Sequence, residues 1–182
     1  MIVQMAGLPG TGKSTLAEAL RTALGQSALL LDKDRVRHAI YGATHTDYTR
    51  EQDDFVVGLL HRAAARHLDA ADSNAVILDG RTCLRRYQIR QTLDLANSTG
   101  HQLHIVHCEC AEATARRRLA ADTAHPAANR TGELYTRLRE SAEAITAPKV
   151  LINTDAAPEA CLHQLMDYLR DNDRAPSRME RV

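Results

Sequence analysis

Tryptophan is absent from the 182 residues and phenylalanine occurs once, so aromatic side chains make up only 3% of the chain. Few rings are available for stacking on nucleic-acid bases. Net charge is zero, with 23 basic and 23 acidic residues. No overall field draws in a polyanion or a membrane surface, although a local basic cleft stays open as a reading. The four cysteines, Cys83, Cys108, Cys110 and Cys161, form no C-x-x-C pair. Cys108 and Cys110 would share a strand face, but no second pair follows to complete a metal site. Reduced, mostly packed thiols of a cytoplasmic protein are expected. No apolar run approaches membrane-spanning length, and an apolar strand begins at Ile2, so neither a span nor a signal peptide is expected. Repeats, low-complexity stretches and linkers are missing too. One domain over residues 1–172 is expected, followed by a loose polar tail over 173–182.

What the chain does have stands near its start. Gly7-Leu8-Pro9-Gly10-Thr11-Gly12-Lys13-Ser14 match G-x-x-x-x-G-K-[ST], between the apolar run 2–6 and a helical pattern from Thr15 onward. A strand feeding a glycine-rich turn that opens a helix aims backbone N–H groups at one spot, and the helix dipole adds positive potential there. Lys13 can reach the β- and γ-phosphates of a nucleoside triphosphate, and the Ser14 hydroxyl can ligate Mg²⁺. The nucleotide site is expected over Gly7, Leu8, Pro9, Gly10, Thr11, Gly12, Lys13, Ser14 and Thr15.

Strand and helix patterns then alternate. Strands are expected at 2–6, 28–32, 75–79, 102–108 and 149–153, with helices at about 13–24, from 33, 49–72, 84–97, 111–121, 133–145 and 158–171. Thr49 with Gln52 three residues on reads as a capping box. The segment 122–132, with Pro126 and Asn129, reads as an exposed loop. Five apolar strands, each followed by a helix, predict a parallel sheet covered on both faces, with ligands at the carboxyl ends of its strands.

Chemistry-bearing residues follow those strands. After the second come Asp32, Asp34 and Arg37. A carboxylate there can take the proton of a substrate hydroxyl as it attacks the γ-phosphate; a helix cap is the competing reading. Arg37 sits one turn beyond Asp34, placed to hold an anionic group or to steady that carboxylate. Asp79 ends the third strand, as an Mg²⁺ contact or an ordinary turn residue before Gly80, and Arg81 faces the site edge. Beyond the fourth strand, Arg116, Arg117 and Arg118 cannot share one helix face, so Arg116 or Arg118 is the inward candidate, with Arg130 a second. The loop from Asn153 to Pro158 either lines an adenine pocket or simply caps a helix. Tyr41, Asp47, Tyr48 and Arg50 shape the acceptor pocket. His101, His104 and His107 alternate faces rather than converge on a metal.

With these residues placed, the chain resembles the small phosphate-loop kinases, a group that includes chloramphenicol phosphotransferase, zeta toxins and the kinase domain of polynucleotide kinase. Adenylylsulfate and gluconate kinases are similar more distantly. The resemblance implies a three-layer α/β P-loop NTPase fold: a five-stranded parallel sheet with helices on both faces and a small lid at about 119–132. It also implies ATP and Mg²⁺, Asp34 as general base, and Arg37 holding substrate. Lys13 and Ser14 would then bind ATP and Mg²⁺, and some of Arg116, Arg117, Arg118 and Arg130 would close on the phosphates. One departure stands out: many relatives carry a further lid arginine where this chain has Asp122 and Thr123. The expected function is phosphoryl transfer from ATP to a hydroxyl of a small molecule, with Asp32, Arg37, Arg81 and Tyr48 on the acceptor side. Alternatives are a polynucleotide 5′-hydroxyl kinase, which neutral charge and scarce aromatics disfavour, a toxin-like nucleotide-sugar kinase, and an ATP-binding regulatory module. A GTP-dependent switch is disfavoured, because N-K-x-D is absent and Asp79 is not followed by x-x-Gly.

Overall fold

The computed structural model of the chain describes residues 1–71, 74–122 and 131–173. Its elements run β1 (Ile2–Ala6), α1 (Lys13–Leu24), β2 (Ala28–Asp32), α2 (Lys33–Tyr41), α3 (Arg50–Leu68), β3 (Ala75–Asp79), α4 (Arg86–Thr99), β4 (Leu103–Glu109), α5 (Glu112–Ala121), α6 (Gly132–Glu140), β5 (Val150–Asn153) and α7 (Pro158–Asp173). The strands form one parallel sheet in the order β2-β3-β1-β4-β5. Strand alternation divides β1 between two layers. Val3 and Met5 pack with Leu16 and Leu20 of α1 and Leu165 and Leu169 of α7. Ile2 packs with Ala64, Leu68 and Leu95 on the other face, under α3 and α4. Each fully buried Leu or Ile in these layers contributes about 1.5–3 kcal/mol. Gln4 shares the Ile2 face and is buried. Its amide donates to the Met5 and Leu78 carbonyls, and its oxygen accepts from Thr92 of α4.

Expected and observed elements differ mainly at helix ends. α4 begins at Arg86, because Leu84 is buried in the core and Cys83 takes a left-handed φ of 54°. α6 stops at Glu140 rather than near 145. From there the chain leaves the helix so that Ile145 joins the core beside Ala6 and Ile105, and the Glu143 amide bonds the Leu84 carbonyl. α3 ends at Leu68, four residues short of its expected end at 72. The Thr49 hydroxyl caps α3 by accepting from the Gln52 amide, but the box is not reciprocal: the Gln52 side chain turns to the Asp47 amide and His45 carbonyl. His104 is buried edge-on against Tyr168, a packing role. The expected loop residues Pro126, Asn129 and Arg130, and the tail from 174, lie outside the described residues.

All connections that matter for a ligand leave the carboxyl edge of this sheet. At the tip of β1 the backbone of Gly7 meets that of β4. A Cβ on Gly7 would lie 2.3 Å from the Cys108 carbonyl oxygen, and its φ is +133°. Only glycine fits both conditions. Gly7→Ala is expected to cost about 2–4 kcal/mol in urea unfolding; a wild-type midpoint would show that the β1–β4 junction can open freely.

Candidate active site

From Gly7 the chain curls through Gly12, which adopts a left-handed conformation at the N-cap of α1 and has no side chain to cap it. The first-turn amides of a helix have no intrahelical acceptor, so this end is suited to an anion. Lys13 is buried, with its Nζ 2.7 Å from the Leu8 carbonyl oxygen, and Ser14 is exposed beside it. The loop is held from the β5 side. The Thr154 hydroxyl lies 2.9 Å from the Thr11 carbonyl and 3.1 Å from that of Glu109.

Arg118 completes this brace. Its Nη1 and Nη2 donate to the hydroxyl and carbonyl of Thr154 at 3.1 and 2.7 Å, placing the guanidinium beside Gly12. Arg116 points elsewhere. It binds Glu112, the Gly132 carbonyl and the Thr136 hydroxyl, and lies over the Tyr135 ring, so it ties α5 to α6. In this structure both side chains have protein partners; neither lines the cavity described next. Arg117 is exposed, and Arg130 lies outside the described residues.

Pro9, Lys13, Ser14, Asp34, Arg37, Tyr48 and Arg81 converge on one cavity of about 310 Å³. Asp34 comes from the first turn of α2, which begins where β2 ends. Gly80 makes that placement possible: a Cβ there would lie 2.8 Å from the Lys33 amide and 2.9 Å from that of Asp34. Asp32 does not face the cavity. Its Oδ1 caps α2 by accepting from the Asp34 and Arg35 amides, so its expected substrate role is replaced by a structural one. Burial first, and then the Asp79 carboxylate opposite in register, push the Asp32 carboxyl above its usual range.

Other lining residues carried no clear signal in the sequence. Lys33, Asp53 and Tyr87 line the same cavity, beside the expected Arg50. Asp53 accepts from Lys33 at 2.8 Å and from Arg37, and lies 3.9 Å from Arg81. Asp54 accepts from Arg81 at 2.6 Å and lies 3.3 Å from Arg50. Lys33 and Arg37 also sit 3.4 and 3.5 Å from Asp34 Oδ1, so the basic groups hold that carboxylate in place. Burial lowers the Lys33 pKa to about 8, against the opposing pull of Asp34. The available signal was the acidic pair at the start of the helix that follows the Asp34 helix. Tyr41 and Asp47, expected near the pocket, do not line it.

The residues present fit a magnesium–triphosphate group. Ser14 offers an exposed hydroxyl in the cavity. Asp79, buried at the end of β3, carries an Oδ1 with no hydrogen-bond partner among the described residues. A carboxylate oxygen accepts only, so it calls for a donor such as a metal-bound water.

Two outcomes follow from this charge arrangement. Asp53→Ala leaves three buried cations short of a counter-ion and is expected to cost about 3–5 kcal/mol in urea unfolding. His61 lies behind the site, where burial and then Arg81 lower its pKa from 6.5 to about 4. Between those values the unfolded chain binds a proton that the folded chain refuses, so stability falls as pH drops through that window. His61→Gln should remove on the order of 2–3 kcal/mol of that loss, measured as unfolding midpoints at pH 7 and 4.

No curated protein sequence matches the chain. Among solved structures, the APS kinase of Mycobacterium tuberculosis, in complex with AMPPNP and APS, superposes with a TM-score of 0.68 at 19% identity, covering 93% of this chain and 96% of that one. Kti12 of Chaetomium thermophilum, in complex with ADP-AlF3, gives 0.68 at 16% identity over 94% and 98%. A gluconokinase of Sinorhizobium meliloti gives 0.64 at 17% identity over 94% and 97%. These likenesses show a shared α/β P-loop NTPase fold. The profile of the AAA domain family matches residues 2–133, well over half of the sequence, and the protein belongs to that family.

Proposed function

We propose that the protein is an ATP- and Mg²⁺-dependent kinase that phosphorylates a hydroxyl of a small molecule. One observation carries this reading: the Asp34 carboxylate shares a single cavity with Lys13 and Ser14 of the phosphate loop. The nucleotide-bound state of two similar structures, with AMPPNP in the APS kinase and ADP-AlF3 in Kti12, supports a nucleotide at that loop.

In this reading the loop amides and Lys13 bind the triphosphate, and Ser14 and Asp79 are the residues that would hold Mg²⁺. The metal supplies neutralisation of charge on the phosphate oxygens. Asp34 accepts the proton of the acceptor hydroxyl as its oxygen bonds to the γ-phosphorus. The bond from that phosphorus to the bridging oxygen breaks, and ADP leaves with the electron pair. Lys33 and Arg37 hold the carboxylate toward the acceptor.

Asp34→Asn should retain AMPPNP binding, since Lys33 and Arg37 keep Asp53 as partner. Acceptor phosphorylation should fall by about 10²–10⁴-fold. The check is ATP consumption with and without a panel of hydroxylated acceptors. Normal turnover by D34N would remove Asp34 from the chemistry. Slow ATP hydrolysis indifferent to every acceptor would favour a regulatory nucleotide-binding module instead.

A further inference from the structure

The acceptor end of the cavity contains basic residues whose binding edges are already occupied. Arg81 donates through Nη1 to Gln91 and through Nη2 to Asp54, both at 2.6 Å, and its Nε is closed to solvent. Arg37 is bound at Nη2 by Asp53 and lies 3.5 Å at Nη1 from Asp34, and its Nε is closed off likewise. Lys33 lies between the same two carboxylates. Aromatic rings cover the guanidinium faces: Tyr48 lies 5.2 Å from Arg37, and Tyr87 lies 5.4 Å from Arg81 and 4.2 Å from Arg50. Leu134 and Leu138, one turn apart on α6, add apolar wall to the same cavity.

We infer that the acceptor is an uncharged alcohol with an apolar ring face, and that this pocket selects against phosphorylated or carboxylated molecules. The inference rests on the kinase reading and refines it. A phosphate placed against Arg37 or Arg81 would have to evict Asp53 or Asp54 from its cation. It would then stand beside Asp34, which must stay ionised to take a proton, and like charges at close range are strongly disfavoured. A neutral ring lying against Tyr48, Tyr87 and the two leucines meets no such conflict. Its hydroxyls can hydrogen-bond to the carboxylates without displacing anything. Arg37 therefore steadies the base rather than holding an anionic group of the substrate.

The test keeps the two halves of the site apart. Wild-type protein is saturated with AMPPNP and Mg²⁺, and its melting temperature is followed with sodium phosphate against sodium chloride at equal ionic strength. Phosphate should add nothing beyond chloride. In Asp54→Asn, which removes the negative charge that holds Arg81 and weakens its hold on that edge, it should add about 2 °C or more. Matched acceptors extend the test: thymidine against thymidine 3′-monophosphate, and glucose against glucose 6-phosphate. Wherever either member of a pair is phosphorylated, the uncharged one should be favoured in kcat/KM by about tenfold or more. Phosphate stabilisation of the saturated wild type that Arg81→Gln removes, or preference for a charged member, would overturn the inference. Should D54N fail to fold, the wild-type measurement alone decides. Failure to bind AMPPNP would count against the kinase reading instead.

Discussion

Close approach of backbone to backbone at the carboxyl edge of the sheet governs everything built there. Gly7 leaves no room for a Cβ against the Cys108 carbonyl, and Gly80 leaves none against the first amides of α2. The first contact ties β1 to β4 at the root of the phosphate loop. The second seats α2 against the end of β3. Together they bring the loop that carries Lys13 and the helix that carries Asp34 to one cavity. Side-chain packing alone could not bring these segments so near, because even a methyl group would force them apart.

A second layer of control is electrostatic. Buried cations are costly unless paired, and here Asp53 is shared by Lys33, Arg37 and Arg81, with Asp34 and Asp54 as further partners. This arrangement joins α2, α3 and the segment after β3 through one carboxylate. It also limits what the site can bind. An arginine that appears in a sequence as a free anion receptor becomes, once paired, a positioning group for the carboxylate beside it. The pKa of Lys33 is lowered because desolvation, helped by the nearby Arg37 and Arg81, outweighs the pull of Asp34.

Much of the fold was legible because strand periodicity and strand-end chemistry are local. β1, β2 and β3 have the expected bounds, and β4 and β5 differ by a single residue at their ends. Helix ends were harder to place wherever tertiary packing prevailed. Ile145 leaves the helical path because the core beside Ala6 has room for it. The nucleotide half of the site was legible as a contiguous motif. The acceptor half was not, since its specificity depends on pairings across 16 to 27 residues of sequence, Arg37 with Asp53 and Arg81 with Asp54. Asp53, in the first turn of α3, is the kind of acid that commonly complements a helix dipole, and nothing local distinguishes it from one. Arg116 or Arg118 was expected to face inward. Which carbonyls they would meet depended on where α6 and the β5–α7 connection came to lie.

The tripeptide Asp79-Gly80-Arg81 shows how tightly the two halves are coupled. Asp79 ends β3 in register with Asp32 and holds a buried carboxylate oxygen with no hydrogen-bond partner among the described residues. Gly80, with φ of +81°, turns the chain beneath α2. Arg81 then reaches the acceptor wall and is bound to Asp54 and Gln91. In the proposed reading, three consecutive residues thus serve the metal, the base-bearing helix and the acceptor pocket in turn. A shift of one residue in the β3 register would reverse the facing of the strand and displace all three together. The pairing Asp32↔Asp79 at the sheet edge therefore fixes where α2, which carries Asp34, starts relative to the turn at Gly80, and so where the proposed base stands against the phosphate loop.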